Sequence, residues 1–404
     1  MKNKEMCLKN IVFIHPFLLP YHHPRIQAMS IACERAGFAF HNITLAGSNE
    51  IYKWFFADGK TRWDHLTLFP DQKLESIPAD QMWSSLENKL EELQPDVIFI
   101  YGYSLKIMRQ AKSWARQHHV AVALISDSNG FDKKRYGISE FLKSLYISGL
   151  DAAFVGGTSS ASYLQKLGMP KERLTFGYDV IDNDFFSERA KFNRLTVEQI
   201  RQKWALPENY FLFVGRLIKE KNLERFIEAY AIYAKSQENP WSLVICGDGP
   251  ERPELQNFVS GLPKKTTKHI LFYGHVNQSE IIDFYSCASC LVLPSVSETW
   301  GLVVNEAMAC GLPVIVSNHC GCAADLTVNQ FNGWCFEPTD CNRLIELMIE
   351  MSSLNPAERV EMSLHSQEII SHWGLDTFAK NAIECAKMAV EHRNQKYVNI
   401  HRSN

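Results

Sequence analysis

With 404 residues, 46% of them hydrophobic and 22% charged, the chain holds enough apolar material for more than one core, and two domains are expected. A formal charge of −3 with no dense Lys/Arg tract excludes broad attraction to nucleic acid, so no nucleic-acid partner is expected. No apolar run approaches the roughly 18 residues of a membrane span. Eleven cysteines without a leader-like stretch suggest reduced thiols in a cytoplasm, with the protein at most peripheral at the inner face of a membrane.

Residues 11–14 read as a first buried strand, with His15-Pro16 beginning the loop beyond it. A dinucleotide-binding oxidoreductase would carry G-x-G-x-x-G there; the run HPFLLPYHHPRIQAM removes that support. His22, His23 and Arg25 stand at the entrance to the following helix, where the histidines are candidates to face an acceptor, although adjacent side chains on a helix diverge. Between residues 51 and 70, Tyr52, Trp54, Phe55, Phe56 and Trp63 mix with Lys53, Lys60 and Arg62. Packing within the domain competes there with stacking on acceptor sugars or a peripheral contact with lipid. Strands at 97–101 and 120–125, each after a helical segment, make the first half a parallel α/β domain. The loop after the second is Ser126-Asp127-Ser128-Asn129-Gly130, where Asp127 suits an Asx turn, and Arg135 close behind is a further acceptor-binding candidate.

A strand at 152–155 and a helix at 159–167 lead to the run from Phe176 to Asp182. Asp182-x-Asp184 imitates a metal-binding pair, but at a domain boundary turn chemistry is the expected reading, and the polar residues 187–202 carry the chain across. The pattern restarts with a strand at 211–214. Arg216 and Lys221, five apart and straddling a strand-to-helix turn, can clamp a diphosphate from two sides, the arginine as a planar fork and the lysine as a point charge. A strand at 242–246 ends in Gly247-Asp248, a turn that brings backbone close to a ligand, and a further strand is expected at 271–276. Cys287-x-x-Cys290 and Cys320-x-Cys322 have metal-like spacing. The first pair falls at the seam of a helix and a buried strand, where small apolar residues are wanted, so no metal is expected.

The stretch 291–316 is the most informative. It reads as a buried strand, a loop from Ser295, a helix over about 302–310 stopped by Gly311, and a second buried strand at 314–316. Glu298 lies in the loop and Glu306 about one turn into the helix. Gly301 admits close backbone approach, and the amides of Trp300 to Val303, Leu302 among them, favour an anionic group such as a diphosphate. Ionised carboxylates only accept hydrogen bonds, so the two glutamates ask for hydroxyls beside that diphosphate: a ribose and a sugar.

The run E-x-W-G-x-x-x-x-E-A-M-A-x-G-x-P-V-I resembles the signature of retaining glycosyltransferases of family four. The resemblance implies an α/β GT-B fold of two Rossmann-like domains facing across a cleft. These are an acceptor-side domain over 1–186, a nucleotide-sugar domain over 187–375 and a last helix at 376–404 returning to the first. It gives Glu298 the donor sugar and Glu306 the ribose, and places Val276, in Gly274-His275-Val276, at the base. Asp127 falls where relatives put a histidine or aspartate beneath the reacting sugar. Gly215 to Asn222 is similar to the family's G-R-L-x-x-x-K-G motif, with Asn222 for the final glycine, and the family's first-loop glycines are absent. The implied catalytic set is Asp127, Arg216, Lys221 and Glu298. The implied reaction is transfer of a hexosyl group, with retention, from a nucleotide diphosphate sugar (a UDP-sugar favoured) to a hydroxyl of a glycan, lipid-linked or small-molecule acceptor, without cofactor or metal. An epimerase of the same architecture and a degenerate sugar-nucleotide-binding protein are the alternatives.

Overall fold

A computed structural model describes residues 7–50, 65–131 and 137–402. The chain forms two compact units, one from residues 1–128, 135–181 and 374–404, the other from 129–134 and 182–373.

The first unit is a parallel sheet of β1 (Asn10–His15), β2 (Ala39–Ser48), β3 (His65–Lys73), β4 (Val97–Tyr101), β5 (Ala121–Ser126), β6 (Ala152–Val155) and β7 (Leu174–Phe176), in the order β3-β2-β1-β4-β5-β6-β7. Between strands run α1 (His22–Ala36), α2 (Ala79–Leu93), α3 (Lys106–Gln117), α4 (Gly137–Ser148) and α5 (Thr158–Lys166). Strands covered on both faces read as continuous apolar runs, and residues 11–14, 97–100 and 121–124 are all at 0% exposure. β1 continues one residue beyond its apolar run. His15 belongs to the strand, with Nδ1 2.8 Å from Asn42 Oδ1 on β2, and burial pushes its pKa down to about 4. An apolar pattern cannot reveal a polar residue whose partner lies on the neighbouring strand. Tyr52, Trp54, Phe55, Phe56 and Trp63, with their intervening cations, lie outside the described residues.

The second unit is a parallel sheet of β8 (Tyr210–Val214), β9 (Ser242–Cys246), β10 (Ile270–Gly274), β11 (Cys290–Leu293), β12 (Val314–Ser317) and β13 (Gly333–Phe336), ordered β10-β9-β8-β11-β12-β13. Its helices are α6 (Asn183–Leu195), α7 (Val197–Trp204), α8 (Leu223–Ser236), α9 (Arg252–Ser260), α10 (Lys264–Thr267), α11 (Ile281–Cys287), α12 (Leu302–Ala309), α13 (Ala323–Leu326), α14 (Cys341–Ser353) and α15 (Pro356–Ser371). Asp182 caps α6, its Oδ1 accepting from the Phe185 amide at 3.0 Å. β10 stops at Gly274, where the backbone turns left-handed (φ +72°), so residues 275 and 276 of the expected strand are loop.

The last helix, α16 (Leu375–Arg402), belongs to the first unit and packs on α1 and beside β5, β6 and β7. It is pinned by Asp151, at 0% exposure, whose carboxylate faces the Val122 amide (2.9 Å), His392 Nδ1 (3.2 Å), Arg393 Nη2 (3.4 Å) and Lys396 Nζ (3.6 Å). Burial alone would raise its pKa; the hydrogen bond from His392 and the neighbouring cations outweigh that and hold it below the usual carboxylate value.

In each sheet the strand order reverses once, between β1 and β4 and between β8 and β11. At such a point the loops leave the two adjacent strands in opposite directions and open a crevice beyond their carboxyl ends.

Candidate active site

In the second unit the crevice is bounded by the loops after β8 and β11. They are tied together before any ligand is considered. The Val296 amide donates to Glu220 O at 2.9 Å, and Asn222 Nδ2 donates to Pro294 O (3.1 Å) and Pro338 O (2.9 Å). Asn222 adopts φ +58°, so it supplies the left-handed turn that a glycine would and adds two hydrogen bonds that a glycine lacks. Across this junction Lys221 Nζ pairs with Glu298 Oε2, their side chains only 15% and 17% exposed, with Ser295 Oγ 3.5 Å from the same oxygen. The pair is largely shielded from water, where charges interact more strongly than on an open surface.

Main-chain bonds fix the Glu298 loop. The Glu298 amide donates to His319 O (3.3 Å), Gly321 N to Glu298 O (3.1 Å) and Cys322 N to Trp300 O (3.1 Å). Asn129, at 0% exposure, donates from Nδ2 to Glu298 O (2.7 Å) and Thr299 O (3.1 Å). Its Oδ1 accepts from the Phe131 amide at 2.9 Å, closing an Asx turn, and the Phe131 ring stacks on His319 at 4.4 Å.

Gly301, at φ +106°, opens α12. A Cβ there would come within 3.0 Å of Leu293 Cδ2 and 3.4 Å of Cys322 Sγ, so both backbone and space require glycine. Leu302 and Val303 follow, half-buried, in the first turn. Trp300 is 2% exposed, its Nε1 donating to Asn305 Oδ1 at 2.9 Å and its ring 5.2 Å from Trp373, so the indole is a packing anchor. Glu306 is 2% exposed and accepts from Tyr285 Oη at 2.6 Å. Gly247, after β9, lies so close to the β8 loop that a Cβ would meet Gly215 O at 1.8 Å. Asp248 Oδ1 accepts from the Gly249 amide (2.8 Å) and Oδ2 pairs with Arg252 (3.0 Å), which shapes the start of α9. Arg216 is exposed on the β8 loop, and Val276 is half-buried beyond β10. The structure thus joins Lys221 and Glu298 directly, sets Trp300 to Glu306 on one loop and helix, and brings the Gly247 turn against the β8 loop. Tyr285, Ser295, Asn129 and His319 carry no local motif and were beyond sequence reading.

In the first unit Asp127 follows β5, half-buried, its carbonyl accepting from Ser160 Oγ at 3.1 Å. His22 turns inward at 7% exposure, Nδ1 accepting from the Leu19 amide at 2.9 Å and its ring 5.1 Å from His15. Burial, then His15 and Arg25, push its pKa well down, so it stands as a neutral enclosed ring. His23, one step round the helix, is half-buried. Arg25 is buried too, its Nε donating to Val180 O at 2.8 Å with Asp179 at 3.7 Å. Burial raises the Asp179 pKa, Asp127 adds to that, and Arg25 opposes it. Arg135 lies outside the described residues, with Lys133 and Lys134.

Residues 196–366, nearly all of the second unit, match the family model described as glycosyl transferases group 1. The likeness to this family thus lies in the second unit. Both units together have the GT-B fold: the structure aligns with a glycosyltransferase from Rickettsia africae at a TM-score of 0.73 and 13% identity, over 95% of this chain and 99% of that one. It also aligns with HepE of Anabaena in complex with UDP at 0.68 and 15% identity, over 93% and 99%. The alpha-monoglucosyldiacylglycerol synthase of Acholeplasma laidlawii is 32% identical over 130 residues, 32% of this chain and 32% of that protein. The chain thus spans about a third of the length of that curated relative.

Proposed function

We propose that the protein is a retaining glycosyltransferase that moves a hexosyl group from a nucleotide diphosphate sugar, a UDP-sugar first, to an acceptor hydroxyl in glycolipid or glycan synthesis. The observation that carries this is the Lys221–Glu298 pair at the strand reversal, with Glu298 three residues before Gly301, where α12 opens. Arg216, Lys221 and the amides of Leu302 and Val303 are cationic or donating groups suited to charge that builds on a leaving diphosphate. In this reading Glu298 accepts from donor-sugar hydroxyls once Lys221 turns to phosphate, and Glu306 accepts from the ribose. The HepE complex with UDP and the glycolipid synthase among the relatives support the donor and acceptor classes. In this reading cations and helix amides do the work of a metal.

The test is turnover with a panel of UDP-, GDP- and ADP-sugars, with sugar transferred to acceptor as the readout; release of an epimeric sugar nucleotide from donor alone would replace the reading by an epimerase. Glu306→Ala is expected to weaken binding of free UDP about tenfold to a hundredfold, because two ribose hydroxyls lose a charged acceptor worth about 1.5–3 kcal/mol. Unchanged affinity by calorimetry would take Glu306 out of the site. Turnover is expected to survive exhaustive chelation, and strict dependence on added manganese or magnesium would overturn the metal-free account.

A further inference from the structure

Helix α4 is built inside out. Its only charged side chains turn toward the body of the unit: Lys143 Nζ pairs with Glu140 Oε1 at 2.7 Å, and Tyr163 Oη donates to the same carboxylate at 3.1 Å. Ile147, on the inner face, is at 0% exposure. The outer face carries Ile138, Phe141, Leu142 and Leu145, exposed by 81%, 63%, 60% and 57%. Their spacing of i, i+3, i+4 and i+7 makes one continuous stripe, where a surface helix ordinarily presents polar groups to water.

Beside the stripe, at Tyr146, an open recess of about 560 Å³ lies between α4 and α3, lined by Arg109, Lys112, Ser113, Arg116, Gln117 and Tyr146. Among the described residues three cations and no carboxylate line it, and α3 contains no Asp or Glu. Lys112 is held in place by a bond to Tyr146 O with its ammonium 3.8 Å over the Tyr146 ring, and Arg109 Nη1 donates to Tyr103 O (3.1 Å) and Ser104 O (2.8 Å). Burial, assisted by Arg116, pushes the Lys112 pKa down to about 8. Asp151 opposes that shift and Lys396 and Arg393 add to it.

We propose that the α3–α4 face docks the protein on an anionic lipid bilayer, with Ile138, Phe141, Leu142 and Leu145 entering the acyl boundary and Arg109, Lys112 and Arg116 receiving headgroup phosphate. The net charge of −3 gives no general attraction to such a surface, so the attraction is local to this recess. An apolar helix face with cations at its edge is the arrangement that interfacial helices use, each part too weak alone and sufficient together. The inference stands apart from the transferase reading, because binding is measured without donor or acceptor.

The test is co-sedimentation of the full chain with vesicles of phosphatidylcholine alone and of equal parts phosphatidylcholine and phosphatidylglycerol. The protein is expected to bind the mixed vesicles at least about tenfold better than the neutral ones. Phe141→Ser with Leu145→Ser is expected to lower binding to mixed vesicles by about tenfold or more, and Arg109→Glu with Arg116→Glu to abolish the preference for phosphatidylglycerol. Unchanged thermal unfolding of each variant separates lost docking from lost folding, and Ile138→Ser alone serves if a double variant is unstable. The proposal is overturned if the protein stays in the supernatant with mixed vesicles, binds neutral vesicles as well, or is unaffected by the apolar pair. It is equally overturned if the free protein is a dimer that Phe141→Ser dissolves, since a second copy would then cover the stripe.

Discussion

Lys221→Met is expected to lower turnover by two to three orders of magnitude with a nucleotide diphosphate sugar, the scale seen when one preorganised group facing developing charge is lost. Methionine keeps most of the hydrocarbon stem, so what is removed is charge. The same change leaves Glu298, 17% exposed, without its cation, and a shielded carboxylate that loses its partner is destabilising, here by about 2 kcal/mol since some solvent reaches it. Adding Glu298→Gln should return most of that stability in urea unfolding while leaving turnover as low or lower. The combination tells a structural ion pair from a working one. A stable Lys221→Met enzyme with ordinary turnover would remove the lysine from the reaction, and a double variant as unstable as the single one would contradict the pairing.

Asp127→Asn is expected to leave the affinity for free UDP unchanged and to lower turnover by roughly a hundredfold. The amide keeps the shape of the side chain and its capacity for turn hydrogen bonds, so the comparison isolates the negative charge, which in the proposed mechanism favours the positive charge developing on the sugar. The Asx turn at Asn129, whose Oδ1 accepts from the Phe131 amide, does not involve the Asp127 carboxylate. Normal turnover in Asp127→Asn, measured at saturating donor, would end the electrostatic role.

Local features of the sequence predicted much of this architecture. Val97–Tyr101 and Ala152–Val155 are apolar runs of strand length bounded by turn residues, and both are strands with those limits. The helix-forming run from Leu302 predicted α12, which begins at that residue, while the left-handed turn at Gly301 (φ +106°) emerged only from the structure. What escaped was set by distant partners. The strands β2 and β3 mix polar and apolar residues and acquire their identity from pairing, as Asn42 does opposite Phe13 and His65. Tyr285 supports Glu306 from 21 residues away, and Asn129 reaches the Glu298 carbonyl across 169. No window along the chain contains both members of either pair. His22 was legible as a residue at a helix entrance, but not the inward turn that encloses it.

The way the Glu298 loop is secured has a consequence for how such a protein diversifies. Glu298, Thr299 and Trp300 are held by their amides and carbonyls, and the Asn129 side chain also clasps carbonyls. Main-chain groups are supplied by almost any amino acid, proline's missing N–H being the exception. Val296 and Thr299, half-buried like Ser297, thus contribute to the fixing of this loop through main-chain groups that a substituted residue would retain, while the acidic residue beside them keeps its position. If the proposed transfer reaction holds, preference for one sugar over another could change by mutation here without the proposed machinery being rebuilt, so a library randomised at these three positions should yield altered donor choice more often than inactive protein.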